Sequence, residues 1–248
     1  MEMNPITLHN LTLGYERHPA VHHLSGIFKP GSMTAVIGPN GSGKSTLLKG
    51  ITGILRPLGG RIDRGRLRSN QIAYLPQQLE IDRSFPITVL DFVILGLWPE
   101  IGIFGGMKCD HWKKAEQALQ TVGLDGFETR PISDLSGGQF RRVMFARMIL
   151  QESLVVVLDE PFTSIDMQTT IDLFAVIQRW HAENRMIIAV LHDFEQVRAY
   201  FPQTLLIARQ LVGWGETGQV LTDENLQLSR RMSAAWDESA EICQEDMA

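Results

Sequence analysis

Residues 38–46 read Gly38-Pro39-Asn40-Gly41-Ser42-Gly43-Lys44-Ser45-Thr46, and this run constrains the fold more than any other. Its first eight residues fit the G-x-x-x-x-G-K-[ST] pattern of a phosphate-cradling loop, which needs a strand before it and a helix after it. Both are present in pattern. A Lys29-Pro30-Gly31-Ser32 turn leads into Met33 to Ile37, a short apolar run of the kind buried on both faces of a parallel sheet. Lys44 to Ile54 then reads as a helix, ended by Gly53 and the later Pro57. Glycines at 38, 41 and 43 let the backbone turn sharply and aim N–H groups at phosphate oxygens. The helix N-terminus adds partial positive charge. In such a loop the lysine, here Lys44, reaches the β- and γ-phosphates of a nucleotide, and the Ser45 hydroxyl ligates Mg²⁺.

The rest of the chain alternates in a way that suits such a loop. Ile6 and Leu8, then Leu11, Leu13 and Tyr15, alternate with polar residues around a phase slip near Asn10 that predicts a bulge. Leu58 to Ile62 resembles a turn into a strand, and Gln71 to Leu75 a strand leading to a loop at Pro76-Gln77. From Val89 to about Leu150 the pattern is helical, with Trp112, Ala115, Leu119 and Val122 near one face. Leu154 to Leu158, Ile187 to Leu191 and Thr204 to Ala208 are strand candidates, and helices begin near Met167 and Phe194. Strand–helix alternation on either side of a helical insertion predicts an α/β core with a parallel sheet.

Two further clusters carry chemistry. Leu154 to Asp159, followed by Glu160-Pro161, is an apolar strand ending in two carboxylates. Asp159 suits the acid that holds Mg²⁺ at such a strand end, through its water shell. Glu160, one residue on, points elsewhere and is placed to polarise an attacking water. Leu135-Ser136-Gly137-Gly138-Gln139 opens a helix with Ser136 at the N-cap, and glycines expose N–H groups at a positive helix end. That is a second anion site in one chain, and it poses the question of whose phosphate it binds.

Charge and composition narrow the partners. A net charge of −5 gives no reason to expect a nucleic-acid partner, since phosphate neutralisation needs a basic face. The longest apolar stretch, Val89 to Trp98, is interrupted by Asp91 and Gly96 and is too short to span a bilayer. The N-terminus lacks the basic and apolar regions of a signal peptide, so the chain is expected to be cytosolic by itself and to reach a membrane through a partner. Cys109 and Cys243 lie far apart, with no metal-ligand spacing. His18, His22 and His23 read as ordinary exposed histidines, and the tail from Asp237 is acidic.

These features, in this order, resemble the ATP-binding cassette (ABC) family, and the likeness runs from Tyr15 to about Asn225. It rests on Tyr15, residues 38–46, Gln77, Leu135 to Gln139, Asp159-Glu160, Ser164-Ile165-Asp166 and His192. The resemblance implies one ABC ATPase domain over 1–248 that uses ATP and Mg²⁺. It would comprise a P-loop, RecA-like core and an N-terminal antiparallel β subdomain (about 1–80 and 152–225), an inserted α-helical subdomain (about 81–151) and a tail (about 226–248). Tyr15 matches the aromatic that stacks on adenine. Gln77 matches the loop glutamine that contacts Mg²⁺ or the attacking water and senses the transporter. Glu160 matches the general base, Asp166 the aspartate that communicates between sites, and His192 the histidine on the γ-phosphate. In the family two subunits face head to tail, so that Ser136 and Gly138 of one chain, in the Ser136-Gly137-Gly138-Gln139 run, complete the phosphate site of the other. Phe140 and Leu191 depart from the common pattern without removing a catalytic group.

Phe85 to Asp91 and Phe194 to Asn225 resemble the ATP-binding subunits of bacterial zinc and manganese importers. Leu211-Val212-Gly213-Trp214-Gly215 resembles the zinc group, so zinc is expected first and manganese next. The implied partners are a second copy, integral membrane permease subunits and an extracytoplasmic metal-binding protein. The implied place is the cytoplasmic face of the inner membrane, held peripherally. The competing reading is a soluble ABC ATPase not coupled to transport, such as one in iron–sulfur assembly. The likeness after Phe85 argues against it.

Overall fold

Strand segments that are apolar on both faces must be covered on both, and this sorts the chain into layers. The structure is a computed structural model that describes residues 3–16, 18–77, 82–102, 105–163 and 165–234. Its strands are β1 (Ile6–Tyr15), β2 (His18–Phe28), β3 (Met33–Ile37), β4 (Gly59–Asp63), β5 (Ile72–Leu75), β6 (Val155–Asp159), β7 (Met186–Val190), β8 (Gln203–Ala208) and β9 (Gln210–Glu216). Its helices are α1 (Lys44–Thr52), α2 (Val89–Ile94), α3 (Trp98–Ile101), α4 (Cys109–Thr121), α5 (Gly137–Gln151), α6 (Met167–Ala182), α7 (Phe194–Tyr200), α8 (Thr217–Val220) and α9 (Asp223–Ala234).

The wholly buried strands β3, β6 and β7 form the middle of a six-stranded sheet of order β5-β6-β7-β3-β8-β9. All its pairs are parallel except β8–β9. Successive residues go to opposite layers, as the pleat requires. Ala35, Ile37, Val156, Leu158, Ile187 and Ala189 pack with the buried residues of α2, α4, α5 and α6. Val36, Val155, Val157, Ile188 and Val190 face the other way, onto Leu47, Leu48 and Ile51 of α1 and onto the inner face of β1 and β2. Those two strands and β4 make a separate antiparallel sheet of order β2-β1-β4. The mixed α/β class, the antiparallel N-terminal sheet and the helical insertion all match expectation.

The helix ends match as well. Gly53 closes α1 at φ 83°, a left-handed conformation that favours glycine. Thr88, Ser136, Asp166 and Asp193 cap α2, α5, α6 and α7.

One detail follows the sequence pattern and others depart from it. The predicted slip in β1 is real, since the register shifts between Leu8 and Leu11 and Asn10 sits at φ 46°. Its partner β2 turns every second residue inward from His22 to Phe28, but Val21 and His22 are buried in succession and His23 sits at φ 49°. His22 is therefore a buried histidine rather than an exposed one. On α4 the inward positions are His111, Ala115, Ala118 and Leu119, and Trp112 turns to solvent. The strand β9 pairs antiparallel with β8, placing Trp214 against Phe28 with ring centroids 4.6 Å apart. Cys243 and the acidic tail lie outside the described residues.

Candidate active site

The strand register assembles the site. Val36 lies beside Val190, and Val190 beside Asp159. Gly38, Glu160 and His192 follow these residues by one or two positions, so three chain segments leave the sheet at one level. The Glu160 N–H donates to the Val190 carbonyl at 3.2 Å, which holds the exit of β6 to that of β7. This is the carboxyl edge of an open α/β sheet, where such sheets bind ligands.

The loop 38–43 can take its path only with glycine at two places. At Gly43 φ is 89°, and a Cβ there would lie 2.4 Å from the Ala20 carbonyl oxygen. At Gly38 a Cβ would meet the Ile207 carbonyl oxygen at 2.0 Å. Gly41 and Asn40 are exposed, Ser42 and Thr46 are buried, and Pro39 is half-buried. Lys44 folds back over the loop and donates from Nζ to the Gly38 carbonyl at 2.9 Å and the Pro39 carbonyl at 2.8 Å. Burial lowers the Lys44 ammonium below the ordinary lysine range, while the Glu160 and Asp159 carboxylates act to raise it.

Ser45 Oγ donates to Asp159 Oδ1 at 3.1 Å. A hydroxyl and a buried carboxylate side by side are hard oxygen donors of the kind that hold Mg²⁺ while it keeps waters and phosphate oxygens. The residues present therefore fit that ion. Asp159 is 1% exposed. Burial raises its carboxyl above the ordinary range; the Ser45 hydrogen bond lowers it, Glu160 raises it further, and Lys44 and Lys49 lower it. Burial and the field of Asp159 likewise push the Tyr74 phenol up.

Glu160 stands at φ 50°, left-handed backbone that costs a non-glycine residue about 1–2 kcal/mol. Its carboxylate is held by two neighbours: Oε1 lies 2.6 Å from His192 Nε2, and Thr163 Oγ1 donates to Oε2 at 3.3 Å. Its carbonyl accepts from Arg141 Nη1. The two carboxylates predicted to divide the work thus point apart, Asp159 to Ser45 and Glu160 to His192.

The second anion site is a different place. Ser136 Oγ accepts from the Gln139 N–H at 3.2 Å, and Gln139 Oε1 accepts from the Ser136 N–H at 2.9 Å. This reciprocal cap leaves the Gly137 and Gly138 N–H groups at the start of α5 with no intrahelical acceptor. They border a cleft of about 420 Å³ with Ser136, Gln139, Arg142, Ile165 and Asp166. Among the described residues no hydrogen bond joins 136–139 to 38–46. Asp166 caps α6, accepting from the Thr169 N–H at 2.9 Å and hydroxyl at 2.7 Å, and these bonds lower its carboxyl. Ser164 lies outside the described residues.

Tyr15, at the end of β1, is half-exposed with Lys49 Nζ 5.7 Å from its ring centroid, which sets the ring beside α1. Gln77 is exposed, and its carbonyl accepts from Arg141 Nη2 at 2.7 Å. Sequence reasoning missed Arg141, Lys49, Thr163 and Tyr74. An arginine inside a helix ordinarily reads as a solvated side chain, so nothing marked Arg141 beforehand.

A glycine loop between a buried strand and a helix, a Mg²⁺-type hydroxyl–carboxylate pair and a flanking carboxylate define a P-loop ATPase that works on ATP with Mg²⁺. Comparison with known proteins gives the family. The model of the ABC transporter family matches residues 21–163. The manganese transport system ATP-binding protein MntB of Listeria monocytogenes is 36% identical over 226 residues, covering 90% of this chain and 94% of that one. MntB of Bacillus subtilis is 34% identical over 229 residues, covering 91% and 92%. A solved inward-facing ABC transporter described as of metal-chelate type aligns at TM-score 0.78 and 31% identity over 92% of this chain and 90% of that one. A dimeric bacterial ABC transporter cassette shares the fold at TM-score 0.76 and 23% identity, over 86% and 98%. The chain belongs to the ABC transporter family and is an ATPase of it.

The raised carboxyl of Asp159 has a measurable consequence. A carboxyl raised by burial makes the folded protein take up a proton more readily than the unfolded chain. Its stabilisation is present below the unfolded value near about pH 4 and is lost as pH rises through the folded value. Asp159→Asn removes that loss. Without nucleotide it is expected to melt above the parent at pH 8, with the gap closing towards about pH 4. A variant less stable than the parent at pH 8 contradicts the assignment.

Proposed function

We propose that this chain is the ATP-hydrolysing subunit of a divalent-metal importer, with manganese the favoured ion and zinc next. The observation that carries the catalytic half is the Glu160–His192 pair at the level of the phosphate loop. Glu160 is the general base: it takes the proton of the attacking water. His192 orients that carboxylate and reaches the γ-phosphate. Lys44 leaves the Gly38 and Pro39 carbonyls to bind the β- and γ-phosphates, which the cradle of residues 38–43 and Thr46 holds through main-chain and hydroxyl donors. Ser45 and Asp159, together with Gln77, would hold Mg²⁺, which would supply charge neutralisation at the phosphates. Tyr15 stacks on adenine.

In this reading the cleft at Ser136, Gly137, Gly138 and Gln139 binds the γ-phosphate held by a second copy, and Asp166 beside it links the two sites. Two chains then close on two nucleotides. Transport needs a further surface for the permease, and the helical insertion offers one. Ile87, Ile94, Leu95, Trp98, Met107 and Trp112 line an apolar groove of about 310 Å³, and Trp98 and the nearby Phe85 are exposed. None of the described helices is long and apolar enough to cross a membrane, so this groove supports attachment to the membrane through a partner. An extracytoplasmic metal-binding protein completes the proposed system, at the cytoplasmic face of the cell membrane. The division into a core with its β subdomain, a helical subdomain of about 81–151 and a tail belongs to the same proposal.

The names of the relatives favour manganese. The Leu211–Gly215 stretch, which suggested zinc, has a packing explanation instead. Trp214 lies over Gly26, where a Cβ would meet its ring at 2.2 Å, and against Phe28. A residue that closes the sheet edge carries no information about an ion the ATPase never touches.

Glu160→Gln tests the function. The purified variant is expected to keep ATP binding while phosphate release falls about 10²–10⁴-fold. In a strain lacking this gene, cell manganese measured by mass spectrometry should fall under manganese limitation, and the parent gene but not Glu160→Gln should restore it. Unchanged phosphate release contradicts the base assignment. A fall in zinc alone moves the ion, and no change in either metal contradicts an importer.

A further inference from the structure

Arg141 lies in the second turn of α5, is 7% exposed, and directs its guanidinium at main chain rather than at an acid. One nitrogen donates to the Glu160 carbonyl, the other to the Gln77 carbonyl at 2.7 Å. The two carbonyls are level with one another for a reason in the sheet. β5 and β6 are parallel neighbours with Leu75 beside Leu158, so Gln77 and Glu160 each lie two residues past a paired position. A rigid two-pronged donor matches two carbonyls on adjacent strand ends, where a lysine ammonium offers only a point charge. A second arginine works in the opposite sense. Arg83 donates from Nη1 to the Leu135 carbonyl at 3.3 Å and lies 4.4 Å over the Phe140 ring. The start of α5 and Leu135 just before it therefore contact both Gln77 and Arg83, and Phe140, a departure from the common family pattern, is the buried platform for the Arg83 contact.

We propose that Arg141 is a positioning residue for hydrolysis: it fixes the left-handed main chain of Glu160 and that of Gln77 to one helix, so that displacing the Gln77 segment withdraws the base. This rests on the reading of Glu160 as base and of the Gln77 segment as the part that senses the transporter. The Ser136 end of α5 moves with the same helix, so one guanidinium links the Gln77 segment, the catalytic carboxylate and the serine offered to a second copy.

The test uses the purified full-length chain with Mg²⁺ and ATP, in Arg141→Lys, Arg141→Gln and Glu160→Gln forms. Both Arg141 variants are expected to keep KM within about twofold while kcat falls about tenfold or more, with Lys retaining more than Gln. Hydrogen exchange should quicken at the amides of Glu160, Phe162, Thr163, Leu75 and Gln77 and stay unchanged on α4. Unchanged kcat in both variants overturns the proposal. So does a parallel loss of KM, kcat and protection throughout the chain, which marks a brace for the fold alone. Glu160→Gln separates the two levels. If it stops turnover while the Arg141 variants keep theirs, only the positioning role fails. If it leaves turnover intact, the reading of the base fails first.

Discussion

The hydrogen bond from Ser45 to Asp159 joins residues 114 positions apart, and the site depends on the geometry that allows it. Ser45 is the second residue of the helix after β3, and Asp159 ends β6, with β7 lying between those strands. The bond can form only if three parallel strands are in register and end level. That register requires strands buried on both faces, since a slip of one residue would exchange the two packed layers. The apolar runs 33–37, 155–158 and 186–190 meet this need with almost no polar interruption. Core packing and metal-ion geometry are thus one constraint seen at two scales.

The same edge separates two neighbouring acids. Asp159 is the last residue of its strand and stays under the loop with Ser45 and the lysines. Glu160 turns into left-handed backbone, which swings its carboxylate to His192 and Thr163. Sequence adjacency would otherwise leave two repelling carboxylates competing for one environment. The fold instead gives one a cation-binding setting and the other a partner imidazole. The cost is local strain, and two bonds to the Glu160 main chain hold it in place: its N–H donates to the Val190 carbonyl, and its carbonyl accepts from the Arg141 guanidinium.

Much of this was legible in the sequence because it is carried by local patterns. The phosphate loop, its strand and helix, the strand ending at Asp159, the Ser136 cap and the Gly53 stop each show within a few residues. The slip at Asn10 also showed, since it interrupts an alternation. What escaped was set by distant partners. The alternation of β2 is hidden in the sequence because one of its inward positions is His22, and β9 exists because β8 offers an edge. Trp112 and His111 exchange faces on a helix whose phase is fixed by α2 and α5. Arg141 could not be recognised from its own surroundings, because its two acceptors come from chain segments 19 and 64 residues away. The ion was illegible for a different reason: Trp214, in the stretch that resembled a zinc group, packs against Gly26 and Phe28.

The central claim is that a complete site is built from two chains, with residues 38–46 and Glu160 from one and Ser136 from the other. Mixing subunits measures this most directly. Lys44→Ala disables the phosphate loop of its own chain, and Ser136→Arg blocks the cleft offered to the partner. Each variant alone should be inactive, and mixed dimers, shown to form by tagged co-purification, should recover up to about half the parental ATPase rate per dimer, from one intact composite site. Mixed dimers as inactive as either variant, or a Ser136→Arg chain that turns over at the parental rate, would contradict the account.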